Sequence, residues 1–309
     1  DAVVVCTGAQ GERTLGIPGE DLRGVIGAPD FVKWYNGHPD HMSPELSAPG
    51  ETAVVLGQGN VALDVARLMV RPPQELLETD MDAGSVAQIE AWQKGGLRTV
   101  HIVGRRGFVQ AAFTNAELRE LLTISPEVLP VVDPDELALC RNAASEQELK
   151  DSRMKKRSLS ILDKMVENFK DKDTTSKRVL WLRFLLSPTE VLPDANGTTV
   201  GGIRFAKNAL EGDAGRQKAV PTGETEDIKC GLIVRSVGFD LTPFEGLPLD
   251  KRNRVPHTQG RVELDAGEAG GLYVSGWVKR GPQGIIASNI GDAQETAMRL
   301  MADLKERGA

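Results

Sequence analysis

Residues 52–66, TAVVLGQGNVALDVA, constrain the fold more than any other part of the chain. Residues 52–56 are mostly apolar and β-branched, as expected of a strand buried on both faces. Gly57-x-Gly59-x-x-Ala62 follows as a tight turn. Val61, Leu63, Val65, Ala66, Leu68 and Met69 then recur as in a largely buried helix that ends before Pro72 and Pro73. Strand, glycine turn and helix in this order form the dinucleotide fingerprint. Gly57 permits the turn, Gly59 lets the backbone approach a pyrophosphate, and Ala62 lets helix and strand pack closely. The free N–H groups and positive end of the helix would hold the phosphates. The alternative is a tight turn used only for packing.

The next strand, 99–103, follows an insertion over 72–96 and ends in Gly104-Arg105-Arg106-Gly107. An NAD site places an acidic residue at this point to bind the ribose 2′-hydroxyl, whereas guanidinium groups suit a 2′-phosphate. Arg105 and Arg106 therefore predict NADP rather than NAD, against the alternative of a solvated basic turn. Thr114 opens a further helix, and Glu117 could bond a ribose or the nicotinamide side of the cofactor. Thr114-x-x-Glu117 is equally a capping box. Asp64 lies where a cofactor could run or simply faces solvent.

Residues 9–50, rich in Gly, Pro and Asp, read as a connection between domains, with Phe31, Trp34 and Tyr35 in a short helix. Strands are expected at 128–132, 179–186, 202–206, 232–237 and 272–275, residues 137–169 as mostly helical, and 170–177 as a surface loop. The class is α/β, and 33 glycines against 5% aromatics agree with many short turns. A third constellation runs from Gly271 through Gly276-Trp277 and a glycine loop into a helix reaching about Lys305. A helix start behind such a loop suits an electron-rich ligand such as a reduced flavin, with Trp277 beside it or simply in the core.

A net charge of −7 argues against broad nucleic-acid binding, and no apolar run approaches the length of a membrane span. Cys6, Cys140 and Cys230 are far apart and in no metal-ligand spacing, so structural thiols in a reducing compartment are expected. Residues 1–8 read as a buried strand running into a glycine turn with nothing before it, which predicts a chain lacking its natural N-terminal portion.

At these points the chain resembles the NADPH:ferredoxin reductases of the adrenodoxin reductase type. The resemblance rests on Gly57-Gln58-Gly59-Asn60-Val61-Ala62-Leu63-Asp64-Val65-Ala66-Arg67, Val103-Gly104-Arg105-Arg106-Gly107, Phe113-Thr114 with Glu117-Leu118-Arg119-Glu120, and Gly276-Trp277-Val278-Lys279-Arg280-Gly281-Pro282. It implies a Rossmann-like NADP-binding domain plus the incomplete C-terminal part of a second, FAD-binding Rossmann-like domain. Residues 1–9 and 241–309 would belong to the FAD domain and 10–240 to the NADP domain. It further implies that Gln58, Gly59, Asn60 and Val61 hold the NADP phosphates and that Arg105 and Arg106 hold the 2′-phosphate. Glu117 would also contact NADP, and Trp277, Gly284, Ile285 and Ile286 would contact FAD.

The implied activity passes electrons from NADPH via FAD to an acidic ferredoxin-type iron–sulfur protein, which would dock on Arg119, Arg153, Lys155, Lys156 and Arg157. The alternatives are the NADPH-input subunit of a glutamate synthase, which should carry Gly-Asp at 276–277, and a catalytically empty NADP-binding module. Because the family's first glycine fingerprint would precede Asp1, the chain is expected to bind FAD poorly by itself and to reduce ferredoxin slowly or not at all. The expected compartment is the cytoplasm, or the mitochondrial matrix in a eukaryote. Neither the particular ferredoxin, the oligomeric state nor a catalytic acid or base is legible.

Overall fold

TAVVL at Thr52–Leu56 and TVHIV at Thr99–Val103 each bury four successive side chains, which requires a sheet covered on both faces. The computed structural model describes residues 2–9, 11–42, 46, 48–170, 176–242, 245–251, 253–264, 271–282, 284, 287–306 and 308. The chain divides into two units, Thr14–Val237 and Asp1–Arg13 with Gly238–Ala309.

The larger unit is α/β and Rossmann-like. Its six strands lie in the order Val25–Gly27, Leu232–Arg235, Thr52–Leu56, Thr99–Val103, Arg178–Arg183, Val128–Val132, every neighbouring pair parallel. The order reverses beside Thr52–Leu56: the chain moves on to Thr99–Val103 on one side and returns much later to fill the other. Ligand crevices open at the carboxyl ends of strands at such a switch point. The helix Asn60–Val70 presses Ala62, Leu63, Val65, Ala66, Met69 and Val70 against the sheet. The helix Ala28–Tyr35 has Pro29 in its first turn and buries Phe31 and Trp34, and Trp34 meets Trp92 of the inserted helix Ala83–Lys94 at 5.6 Å between ring centroids. Of the expected connection, 9–50, the strand Val25–Gly27 and the helix Ala28–Tyr35 thus belong to this unit, while residues 9–13 belong to the other. Val25–Gly27 finishes the sheet because its apolar run finds a free edge on Leu232–Arg235.

The expected strand over 179–186 is two strands, Arg178–Arg183 and Leu186–Pro193. The break falls at Leu185, whose φ of 58° lies in the left-handed region and ends any ladder. Leu186–Pro193, Val200–Glu211 and Lys218–Ile228 make a three-stranded antiparallel sheet. Its third strand, absent from the sequence expectation, is mostly polar and exposed, so it carries little hydrophobic signal.

In the smaller unit Val3–Val5 pairs in parallel with Leu272–Val274, which continues antiparallel to Arg261–Val262 and His257–Thr258. Contrary to the buried strand expected, Val3 is 61% and Val4 43% exposed, and among the described residues their strand is paired on one side only. The core here comprises Ala9, Leu241, Leu247, Val255, Val262, Val274 and Val278. No helix among the described residues is long and apolar enough to cross a membrane.

Candidate functional site

Gly57 follows the last residue of the Thr52–Leu56 strand, has φ 129°, and passes so near Ser236 that an added Cβ would lie 2.1 Å from the Ser236 carbonyl oxygen. Its N–H donates to the Val103 carbonyl at 2.8 Å, which joins the fingerprint turn to the end of the neighbouring strand. Gly59 caps the helix Asn60–Val70 with extended backbone, and a Cβ there would meet nothing within 4 Å. The first intrahelical bond runs from the Leu63 N–H to the Gly59 carbonyl at 3.2 Å. The N–H groups of Asn60, Val61 and Ala62 thus precede the helical ladder, at the positive end of the helix dipole. Open space in front of free donors is the arrangement that admits an anionic group.

The other loops of the site are tied to this turn. Gln58 sends its side-chain N–H to the Arg183 carbonyl at 2.7 Å, and its own carbonyl accepts from Ala112 N–H at 2.9 Å. Gly104 makes room for it, since a Cβ there would lie 2.2 Å from the Gln58 side chain. Asn60 Oδ1 accepts the Thr114 N–H at 2.8 Å, which fixes the start of the helix Asn115–Glu120. Thr114 makes no side-chain cap, so the capping-box alternative is not formed. Glu117 Oε2 is buried and has no hydrogen-bond partner among the described residues. A buried carboxylate oxygen normally finds a donor, and one left open beside a ligand loop suits a hydroxyl or amide from the ligand.

Arg105 is exposed, and Arg106 is half-buried with its guanidinium donating to the Gln110 carbonyl at 3.3 Å. Neither has an ion-pair partner among the described residues. Asp64 does not simply face solvent: Arg67 pairs with it at 3.0 Å and with Glu120. Burial, aided by the charges of Glu120 and Glu117, raises the Asp64 carboxyl despite Arg67.

The backbone at Arg183 is anchored by charge. Its guanidinium lies between Glu136, at 2.6 Å from Nε, and Glu226, at 2.8 Å from a terminal nitrogen, with the Trp181 ring 5.0 Å away. Glu136 also accepts the Phe184 N–H at 3.0 Å. The sequence reading missed this triad, because its members are far apart in the chain and only the sheet register brings them together.

Of the smaller unit's expected site residues, Trp277 is half-buried against Phe239, with centroids 5.4 Å apart. Gly284 has φ 85°, and a Cβ would lie 2.5 Å from Ser288 Oγ. Ile285 and Ile286 lie outside the described residues. The glycine loop is supported from beneath by Asp292, which accepts the Gly276 N–H at 2.6 Å and pairs with buried Lys279 at 3.1 Å. Lys279 also reaches Glu295 at 2.6 Å and Thr296 at 3.1 Å. Among the basic residues expected to dock a partner, Arg119, Arg153 and Arg157 are exposed without an ion pair among the described residues. Lys155 is taken by Glu148, and Lys156 donates to the Lys150 carbonyl at 2.9 Å.

Together the parallel sheet and its switch-point glycine turn define a Rossmann-like α/β fold. The chain is homologous, over almost its whole length, to the adrenodoxin reductase type of NADPH:ferredoxin reductase. It is 43% identical over 312 residues to NADPH:adrenodoxin oxidoreductase of Salvelinus fontinalis, covering 98% of this chain and 60% of the relative. It is 41% identical over 309 residues to NADPH-ferredoxin reductase FprA of Mycobacterium tuberculosis, covering 98% of this chain and 63% of the relative. The solved structure of that bacterium's FprA in complex with NADPH superposes with a TM-score of 0.87 at 40% identity, covering 100% of this chain and 65% of the other. The chain thus spans about three fifths of the length of these relatives. No protein-family model matches it.

Proposed function

We propose that the chain supplies the NADP-binding domain, and part of the flavin-binding domain, of an enzyme that passes electrons from NADPH via FAD to a ferredoxin-type iron–sulfur protein. The observation that carries this reading is the open approach at Gly59, before N–H groups of Asn60, Val61 and Ala62 that find no acceptor among the described residues, with the Arg105-Arg106 turn on the adjoining strand end. The helix start would hold the pyrophosphate, the two guanidinium groups the 2′-phosphate, and the open Glu117 oxygen a hydroxyl or amide of the nucleotide. Residues 10–240 would form this domain, and residues 1–9 and 241–309 would contribute to the flavin domain at Trp277 and Gly284. FAD, when bound, accepts a hydride and releases electrons singly, which matches NADPH to a one-electron acceptor.

An acidic partner would be steered to the free charges of Arg119, Arg153 and Arg157. Of the other readings, Trp277 in place of an acidic residue disfavours a glutamate synthase input subunit. The central test is calorimetric titration with NADP and NAD, beside an Arg105→Ala/Arg106→Ala double variant. Tight NADP binding, weak NAD binding and loss of that preference in the variant are expected; equal affinity for both nucleotides in the unaltered chain overturns the reading. An empty NADP-binding module would bind NADP equally well. It would fail to support ferredoxin-dependent cytochrome c reduction by the full-length enzyme.

A further inference from the structure

We propose that Asn208 is a positioning residue for the Gly104-Arg105-Arg106 turn and thereby sets the preference for a 2′-phosphorylated nucleotide. The proposal rests on the reading of the Gly57 loop and the Arg pair as a dinucleotide site, and it adds a specificity determinant outside the fingerprint.

Asn208 lies on the Val200–Glu211 strand of the antiparallel sheet and is 5% exposed. Its side-chain Nδ2 donates to the Arg105 carbonyl at 3.0 Å and to Ser187 Oγ at 2.9 Å, while its backbone N–H donates to the Leu185 carbonyl at 2.8 Å. A main-chain carbonyl can only accept, so the amide nitrogen must face Arg105. That orientation leaves Asn208 Oδ1 buried with no partner among the described residues. An apolar side chain of similar size would avoid the cost of the unsatisfied oxygen. The amide is therefore explained by what it holds rather than by core packing.

What it holds is the one carbonyl of the turn that the backbone leaves open. The Gly104 carbonyl accepts Leu186 N–H at 3.0 Å and the Arg106 carbonyl accepts Leu185 N–H at 3.2 Å. The Arg105 carbonyl, between them, is met by Asn208. Leu185 is the residue with φ 58°, a conformation disfavoured for leucine, and both its N–H and its carbonyl are committed to this strap. The Arg105 side chain is exposed and makes no ion pair among the described residues, so its direction depends on the peptide that Asn208 fixes. Without the Asn208 donor the Arg105 carbonyl loses its clamp and the Arg105 guanidinium its fixed aim, while Arg106 keeps its bond to the Gln110 carbonyl. A nucleotide with a 2′-hydroxyl makes no use of that aim.

The test is calorimetric measurement of the NADP and NAD affinities of the 309-residue chain and of its Asn208→Asp variant, nearly the same in shape but unable to donate. Should the buried carboxylate prevent folding, Asn208→Ala is measured instead, with folding verified by circular dichroism. The expected result is a fall of about tenfold in the NADP-to-NAD affinity ratio, with NAD affinity within about twofold of the parent. An unchanged ratio in a folded variant, or equal weakening of both nucleotides, overturns the proposal. An unaltered chain without NADP preference instead overturns the reading on which it rests, so the two failures are distinguishable.

Discussion

At Gly57 an added methyl group would collide with the Ser236 carbonyl, whereas at Gly59 it would enter open space. Gly57→Ala therefore strains the backbone at φ 129° and forces two chain segments apart, and should lower the thermal midpoint by several degrees. Gly59→Ala should leave the melting curve nearly unchanged and weaken NADP binding instead, as read by calorimetry. If the two variants exchanged these phenotypes, the division of roles would be wrong. His101 offers a second test at this scale. It is buried against Trp181 with ring centroids 5.2 Å apart, and burial, reinforced by the charge of Arg183, pushes its pKa down to about 3. The unfolded chain binds a proton at His101 near the ordinary value of 6.5 while the folded chain does not. Its stabilising contribution is thus constant above that pH and is lost as pH falls from 6.5 towards 3. At pH 5 the loss amounts to about 2 kcal/mol. His101→Phe should flatten the fall in stability between pH 6.5 and 5, measured by urea denaturation; an unchanged slope would mean that His101 charges freely in the fold. The thiols of Cys140 and Cys230 are each pushed up to about 12 by burial, which leaves them un-ionised and inert at neutral pH.

At the scale of elements, the helix Ser288–Glu306 buries Asp292, Thr296 and Asp303 and exposes Ile290, Met298 and Met301. Its inward face is polar because it carries the ion pairs of Lys279 with Asp292 and of Arg299 with Asp303 at 2.5 Å, and because Asp303 accepts a hydrogen bond from the Tyr273 hydroxyl at 2.7 Å. Burial by itself would raise the Asp292 pKa, yet the Gly276 N–H and Lys279 hold it below the ordinary carboxylate range. This support is present near neutral pH and is lost as acid protonates the carboxylate. Lys279→Met strands Asp292 and should destabilise the smaller unit by about 3 kcal/mol, read from chemical denaturation; a loss below about 1 kcal/mol would show that Arg280, 3.4 Å from Asp292, suffices. The helical spacing of Ala293, Ala297, Leu300, Met301 and Leu304 marks this helix in the sequence, yet Ala293, Ala297 and Met301 are exposed and a polar face turns inward instead. The same limit explains the rest. Thr52–Leu56, Thr99–Val103 and Val128–Val132 were legible to the residue, since strands buried on both faces are written as short apolar runs. Lys218–Ile228 was not, because an exposed strand draws its stability from its ladder to Val200–Glu211 rather than from apolar side chains. Within the candidate site the glycines and the Arg pair were readable from local pattern. Ser236, Arg183 and Asn208 were not, because each reaches the site through a strand pairing that sequence distance conceals.

Over the whole molecule, the residues proposed to grip NADP all lie in Thr14–Val237, while those proposed to meet the flavin lie in the unit formed by the two ends of the chain. Each unit has a hydrophobic core drawn from its own residues. A ligand that binds only the native state stabilises what it binds by about 2.7 kcal/mol at a hundredfold excess over its Kd. Local opening is governed by the stability of the cooperative unit in which an amide sits. Hydrogen exchange followed by mass spectrometry should therefore show NADP slowing exchange in 57–63, 104–106 and 114–118, and more weakly through the strands Thr99–Val103 and Leu232–Arg235. The peptides of Leu272–Val274 and Ser288–Glu306 should exchange at the same rate with and without the nucleotide. Asn208→Asp is expected to abolish the slowing at 104–106 while leaving that at 57–63, because the pyrophosphate grip and the 2′-phosphate grip are built on different strand ends. Equal slowing in both units would place the NADP contacts outside the Gly57 crevice. Slowing confined to 57–63 in the unaltered chain would mean that the Arg turn takes no part in binding, which removes the physical basis for NADP selectivity.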